Sequence, residues 1–324
     1  MKKTPFPVWP WVPRVVSAIG TAGAVVLLAL RVELMPLLRD IDTGRFATNV
    51  PAMSFAIVAL LAMALLCCGA QRERVEIPKS RALPTALSAM LAGGLLGAVV
   101  LYDGCRYVFG EILPPPGQMK MTIFTQLILI GLLVFGILGA LALILWGNKV
   151  AAEGGTRRGM SAFGALAPVM WSWCRLAWYE MSYESTVGWS EKFYDFAMVI
   201  FELLFLFKLA RFVSGVGKTS TGEMLFFSMA TVLFALSGPL TRVGLYFTGG
   251  VEAYLASNLA GMADFGIGVL ALAFGWSLTR GCRENPPAVK KEEDWLEEDD
   301  APYDSSLESL FVLEDNEPAE YNQP

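Results

Sequence analysis

Five ionisable residues lie inside long apolar stretches of this chain. They are Arg175, Asp195, Glu202, Arg242 and Asp264. An ionisable side chain at the centre of a membrane costs about 2.5–3.5 kcal/mol or more to insert, so such residues usually face protein or water and pair with one another. Two cations and three carboxylates in this position predict an internal charge cluster.

The spacing of these residues leaves two interpretations of the cluster open. Asp195 and Glu202 are seven residues apart, so a helix places both on one face. Arg175 lies at a depth from which it can reach either acid. In the first interpretation, internal ion pairs fix the register of the helices. In the second, the five residues and Tyr179 line a polar cavity that is open to the outside and takes a solute or an ion.

The composition excludes several kinds of chemistry. The chain has no histidine, which rules out histidine metal ligands, a histidine base and the usual serine or cysteine triads. Its five cysteines include no C-x-x-C pair and are typical of small apolar packing residues, without a disulfide framework. We therefore predict no catalytic, cofactor-binding or metal-binding residues, and a protein that is not an enzyme.

Two short motifs resemble functional signatures but do not meet them. The stretch Gly215–Ser220 ends like a phosphate-binding loop, yet Phe212 stands where that motif needs its first glycine. It also follows an apolar segment instead of a strand. A single Asp42-Thr-Gly44 on a short loop is weak evidence for an aspartic protease. Basic segments follow membrane topology, so no nucleic-acid partner is expected.

The elements that must position the five residues are apolar segments of membrane-spanning length. Apolar residues make up 55% of the 324 residues, only 17% are charged, and the mean hydropathy is +0.50. A helix needs roughly 20 residues to cross a hydrocarbon core of about 30 Å. The pattern predicts an all-α, polytopic transmembrane bundle over residues 1–281, surrounded by lipid. Its spans, about eight, lie near residues 15–32, 52–70, 84–102, 122–146, 161–179, 193–210, 224–247 and 257–278.

The fifth segment is the least typical span. It contains Pro168, Arg175 and three tryptophans, and tryptophan favours the depth of the lipid headgroups. The segment is therefore either a fifth span or a helix that lies along the interface. An even number of spans agrees better with the distribution of positive charge.

Positive charge predicts the orientation of the bundle. With the N-terminus in the cytoplasm, 17 of the 25 Lys and Arg residues fall in cytoplasmic segments and six fall in outer loops, among them Arg31. Lysine and arginine are retained on the cytoplasmic side during insertion. We expect a multi-pass protein of the cytoplasmic membrane with both termini inside.

The last 43 residues, 282–324, form an acidic segment with 14 acids and three bases. So few apolar residues cannot build a core, which predicts a disordered cytoplasmic tail. Three roles are open for it: a solubilising tail, self-docking on the cationic inner loops, or recognition by a cytoplasmic protein partner. The candidate docking motif comprises Leu307, Leu310, Phe311 and Leu313.

A resemblance adds a location but no chemistry. The stretch Pro168–Gly217 contains Trp-Cys-Arg-Leu, then Ser-Glu-x-x-x-Asp and Phe-x-x-x-Phe, and finally Ala-Arg-Phe. Together with the Asp42-Thr-Gly44 loop, it resembles uncharacterised multi-spanning membrane proteins of Gram-positive bacteria. This resemblance implies a bacterial cytoplasmic membrane. The leading hypothesis is non-enzymatic sensing or scaffolding through the tail, and the alternative is a small-solute or ion-coupled transporter.

Overall fold

The computed structural model describes residues 11–34, 49–68, 82–109, 122–153, 160–182, 189–215, 220–247 and 260–284. The chain divides into two units, residues 1–285 and 286–324, and every described residue belongs to the first. The predicted docking motif at Leu307, Leu310, Phe311 and Leu313 lies outside the described residues. The prediction of a disordered tail concerns that same stretch, except that the last helix continues to Glu284.

The described residues form eight α-helices and no β-strand, which confirms the all-α prediction. Each predicted apolar segment falls on one helix. The helices are α1 (Val12–Leu34), α2 (Val50–Cys68), α3 (Ala82–Val108), α4 (Ile123–Glu153), α5 (Ala162–Ser182), α6 (Trp189–Ser214), α7 (Thr221–Phe247) and α8 (Ala260–Glu284).

Six of these helices are long and apolar enough to cross a membrane: α1, α2, α3, α4, α7 and α8. Each contains a stretch of 18 residues within an unbroken helix that is apolar on average and has at most two charged residues, about the length that a bilayer requires. The chain is therefore a multi-pass helical membrane protein. The less apolar helices, α5 and α6, hold three of the five ionisable residues, Arg175, Asp195 and Glu202.

The helices that hold the charged residues pack in a continuous series. Helix α4 lies between α3 and α5, α6 packs against α5 and α7, and α8 packs against α7 and α3. Helices α1 and α2 cover α7 from another side. Polar side chains begin several helices: Asn49 Oδ1 accepts from the Ala52 amide at 3.1 Å, and Ser161 Oγ accepts from the Gly164 amide at 3.1 Å.

Helix α8 is tied to three neighbours by buried hydroxyl groups. In lipid, such hydrogen bonds between helices supplement close packing, since apolar surface gains little by leaving the bilayer. The links join α8 to α1, α3 and α7 in turn. They are Ser17 to Thr279 at 2.7 Å, Thr85 to Ser277 at 2.9 Å, and Ser228, which donates to the Ala271 carbonyl at 2.6 Å.

Glycine allows helices α3 and α4 to approach closely. A Cβ placed on Gly93 would lie 2.7 Å from the backbone oxygen of Ala140, whereas one on Gly97 would lie 3.5 Å from the Ala140 Cβ. The Gly-x-x-x-Gly pair of α3 therefore faces α4. The neighbouring Gly94 points into open space, with no atom within 4 Å of the position of a Cβ.

These two adjacent glycines provide a matched test of the α3–α4 contact. We expect Gly93→Ala to lower the free energy of unfolding by about 1–3 kcal/mol, because the added methyl group meets backbone that cannot move aside. Gly94→Ala should change it by less than about 0.5 kcal/mol. Thermal unfolding of the two purified variants gives the comparison. Equal effects would mean that α3 does not pack on α4 through Gly93.

Candidate functional site

Arg175 of α5 joins a carboxylate of α6 to a carboxylate of α8. Its Nη2 donates to Asp264 Oδ2 at 2.7 Å, and its Nη1 donates both to Asp264 Oδ1 and to Glu202 Oε2, the latter at 3.2 Å. Asp264 thus receives a two-pronged ion pair, the geometry that a planar guanidinium favours. We call these three residues the ion-paired triad.

The triad is closed off from the surface of the described structure. Glu202 and Asp264 have no exposed surface, and the side chain of Arg175 is 11% exposed. The ring of Trp171 lies 5.3 Å from the Arg175 guanidinium carbon and covers it by a cation–π contact. With so little water nearby, removing one partner leaves another charge buried without compensation.

One oxygen of the triad has no hydrogen-bond donor. Arg175 occupies both oxygens of Asp264 and one oxygen of Glu202, whereas the buried Oε1 of Glu202 has no partner among the described residues. Nη1 of Arg175 contacts one oxygen of each carboxyl group, so Glu202 and Asp264 lie side by side at this cation. The site therefore combines one cation, two carboxyl groups and one unoccupied acceptor.

The structure describes the side chains of four of the five predicted residues and separates these four into two groups. Arg175, Glu202 and Asp264 meet in the triad, but Asp195 accepts a hydrogen bond from the Tyr179 hydroxyl instead. Tyr179 follows Arg175 by one helical turn, and Asp195 precedes Glu202 by two, so their pair forms a second layer beside the triad. Arg242 lies on α7, and its side chain is outside the described part of the structure.

Two further charged residues lie near this site on α3. Asp103 is within electrostatic range of both Arg106 and Arg175. Asp103 is thus a carboxylate of a fourth helix near Arg175, whereas the guanidinium carbon of Arg106 lies 5.8 Å from the centre of the Tyr102 ring. Both residues lie inside α3, which continues to Val108, beyond the predicted end of the third span at residue 102.

Arg31 was wrongly assigned to an outer loop. It lies in the last turn of α1, is 1% exposed, and its guanidinium carbon sits 4.4 Å from the centre of the Tyr194 ring on α6. It continues the buried α1 face of Gly20, Ala24 and Leu27. Its spacing of three and four residues from these positions indicates a buried place on α1, in spite of its charge.

The other features of the described residues form no second polar site. A small hollow lies between α4, α5 and α6, and the residues around it are apolar. Among the described ranges, no group of three His, Cys, Asp or Glu residues is placed to hold a metal ion. The triad is thus the principal concentration of buried charge in the described bundle.

Comparison with protein-family models, with curated proteins and with solved structures returned no match for this chain.

The triad predicts unequal costs for removing two different cations. Arg175→Gln should lower the free energy of unfolding by about 3–5 kcal/mol, because it leaves two buried carboxylates without their partner. The control is Lys208→Gln, which breaks the ion pair with Glu223, a residue whose side chain is 49% exposed. That change should cost about 0–1 kcal/mol. Thermal unfolding in one detergent compares them, and equal losses would contradict a structural role for the triad.

Proposed function

We propose that this chain is a non-enzymatic membrane protein that senses or scaffolds through its cytoplasmic tail. The observation that supports this most directly is the closed, ion-paired triad. Arg175 holds α5, α6 and α8 together through its two carboxylate partners, and neither carboxyl group is exposed. A bundle fixed in this way suits a platform better than a channel for solutes.

The proposal includes a direction in the membrane. Eight spans, with α5 and α6 as the two less apolar ones, would place both chain ends in the cytoplasm of a bacterial cell. The excess of Lys and Arg in the segments assigned to that side supports this orientation. Packing of α5 between α4 and α6 also favours a span over a helix lying along the interface.

The tail is the proposed contact surface for a cytoplasmic protein. Residues 282–324 carry a large excess of acids, interrupted by the apolar motif Leu307, Leu310, Phe311 and Leu313. A short apolar motif in an otherwise polar segment is the usual form of a peptide that orders when it binds. The acids would keep the segment soluble until then.

A second candidate is an ion-coupled or small-solute transporter that opens to the outside at the triad. Two observations favour it: the unoccupied Oε1 of Glu202 and the buried Ser172 hydroxyl, which has no partner among the described residues. Ser172 precedes Arg175 by one turn of α5. Polar groups left without partners at membrane depth are typical of sites that bind a ligand in another state.

Tail variants test the first proposal. Deleting residues 286–324 should abolish capture of a cytoplasmic partner by the purified protein. The double variant Leu310→Ala, Phe311→Ala should abolish it too, although every acid is retained. The control Glu297→Gln, Glu298→Gln removes two negative charges from the tail but keeps the apolar motif, so capture of the partner should persist. If the deletion leaves capture unchanged, the tail is only a solubilising segment.

Single-cysteine variants test orientation and access in one experiment. The starting variant lacks all five native cysteines. Each test variant then has one cysteine, which is the native Cys68, the native Cys105 or the substitution Ser172→Cys. Cys68 and Cys105 are exposed near the ends of α2 and α3. In intact cells a membrane-impermeant maleimide should label Cys105 only, and Cys68 should react after the cells are opened.

The cysteine at position 172 decides between the two functions. No labelling, before or after the cells are opened, agrees with a closed platform. Labelling from the outside would favour the transporter. Labelling of Cys68 but not Cys105 in intact cells would reverse the proposed orientation.

A further inference from the structure

We propose that Glu202 and Asp264 together bind one exchangeable proton, which makes the ion-paired triad a proton-binding site at membrane depth. The inference goes beyond the proposed function, because it holds whether or not the tail binds a partner. It follows from the charges, the hydrogen-bond donors and the burial of the triad.

The triad has one cationic group and two carboxyl groups. A guanidinium keeps its proton in proteins, so Arg175 contributes one positive charge. Two ionised carboxyl groups on that guanidinium would leave one negative charge, and both carboxyl groups are fully buried. An excess charge in this environment costs several kcal/mol, whereas one bound proton removes it.

The two carboxyl groups of the triad have more acceptor oxygens than Arg175 fills. Oε2 of Glu202 and Oδ1 of Asp264 meet at the same donor atom, Nη1 of Arg175, and two neighbouring carboxylates have only acceptors. One bound proton turns one of these carboxylates into a neutral acid and supplies a donor that the pair lacks. Oε1 of Glu202, which is buried and has no partner among the described residues, is an available place for that proton.

The described side chains around the triad add no hydrogen-bond donor at Oε1 of Glu202. They include Asp103 and Arg106 of α3, Tyr179 of α5 and Asp195 of α6, whereas the side chain of Arg242 on α7 lies outside the described part of the structure. Asp103 and Arg106 are of opposite sign, and Tyr179 donates to Asp195. Arg175 remains the cation in contact with both Glu202 and Asp264.

A proton fits this site better than a metal ion does. Arg175 already occupies three of the four oxygens of the carboxyl pair, so only Oε1 of Glu202 remains. Hard cations such as Ca²⁺ and Mg²⁺ require six or more oxygen ligands. The binding step is balanced: a water-borne proton forms one O–H bond at a carboxylate, and the charge of the triad rises from −1 to zero.

Infrared spectroscopy of the full-length protein in lipid nanodiscs tests this proposal. At neutral pH the wild-type protein should show the C=O stretch of a protonated, buried carboxylic acid, which shifts in D₂O and disappears at alkaline pH. Glu202→Gln and Asp264→Asn should each remove the band, because Arg175 then neutralises the remaining carboxylate. Glu223→Gln, which alters an exposed acid, should retain it.

Three outcomes would overturn the proposal. They are absence of the band from the wild-type protein at neutral pH, persistence of the band in both triad variants, and loss of the band in Asp195→Asn or Asp103→Asn. Size-exclusion chromatography checks that each variant is folded. If both triad variants fail to fold, retention of the wild-type band in the Asp195, Asp103 and Glu223 variants supports the triad, and its loss in any of them rejects it.

Discussion

A guanidinium that can neither lose its proton nor reach water must find acceptors within the protein. Arg175 imposes this constraint on the described bundle. Its acceptors come from α6, the next helix in the chain, and from α8, which is more distant in the chain. Three helices must therefore meet at one depth before the charge is compensated. A shift of one turn in any of them, about 5.4 Å, would break the pairs. The charge therefore selects one arrangement among the many that apolar packing alone would permit.

The rest of the packing keeps Asp264 in place for that role. Helix α8 is held by hydroxyl groups of α1, α3 and α7, and glycine brings it close to its neighbours. A Cβ on Gly266 would lie 3.0 Å from the Cα of Ala92 on α3, and one on Gly268 would lie 3.1 Å from the Cβ of Ala235 on α7. Small residues thus determine how near α8 approaches, and polar residues determine its rotation and height.

The sequence predicted the helices and the kinds of charged residue more fully than it predicted their partners. Apolar run length is a local property, so all eight described helices fall on predicted segments. Pairing depends on rotation and on neighbours far away in the chain. Asp195 shares a face with Glu202 and was an equal candidate for Arg175, but the structure gives that place to Asp264 and turns Asp195 toward Tyr179. The prediction of an outer loop for Arg31 was wrong because a charged residue can continue the buried face of a helix, here that of α1.

The contact of Arg31 with an aromatic ring depends on a helix that is synthesised much later. The aromatic ring that covers its guanidinium belongs to Tyr194, five helices later in the chain. At about 5–20 residues per second, the ribosome needs on the order of ten seconds or more to reach that ring after Arg31 has been made. The contact between Arg31 and Tyr194 can form only after α6 has been made, so the packing of α1, the first of the eight described helices, is completed late in synthesis.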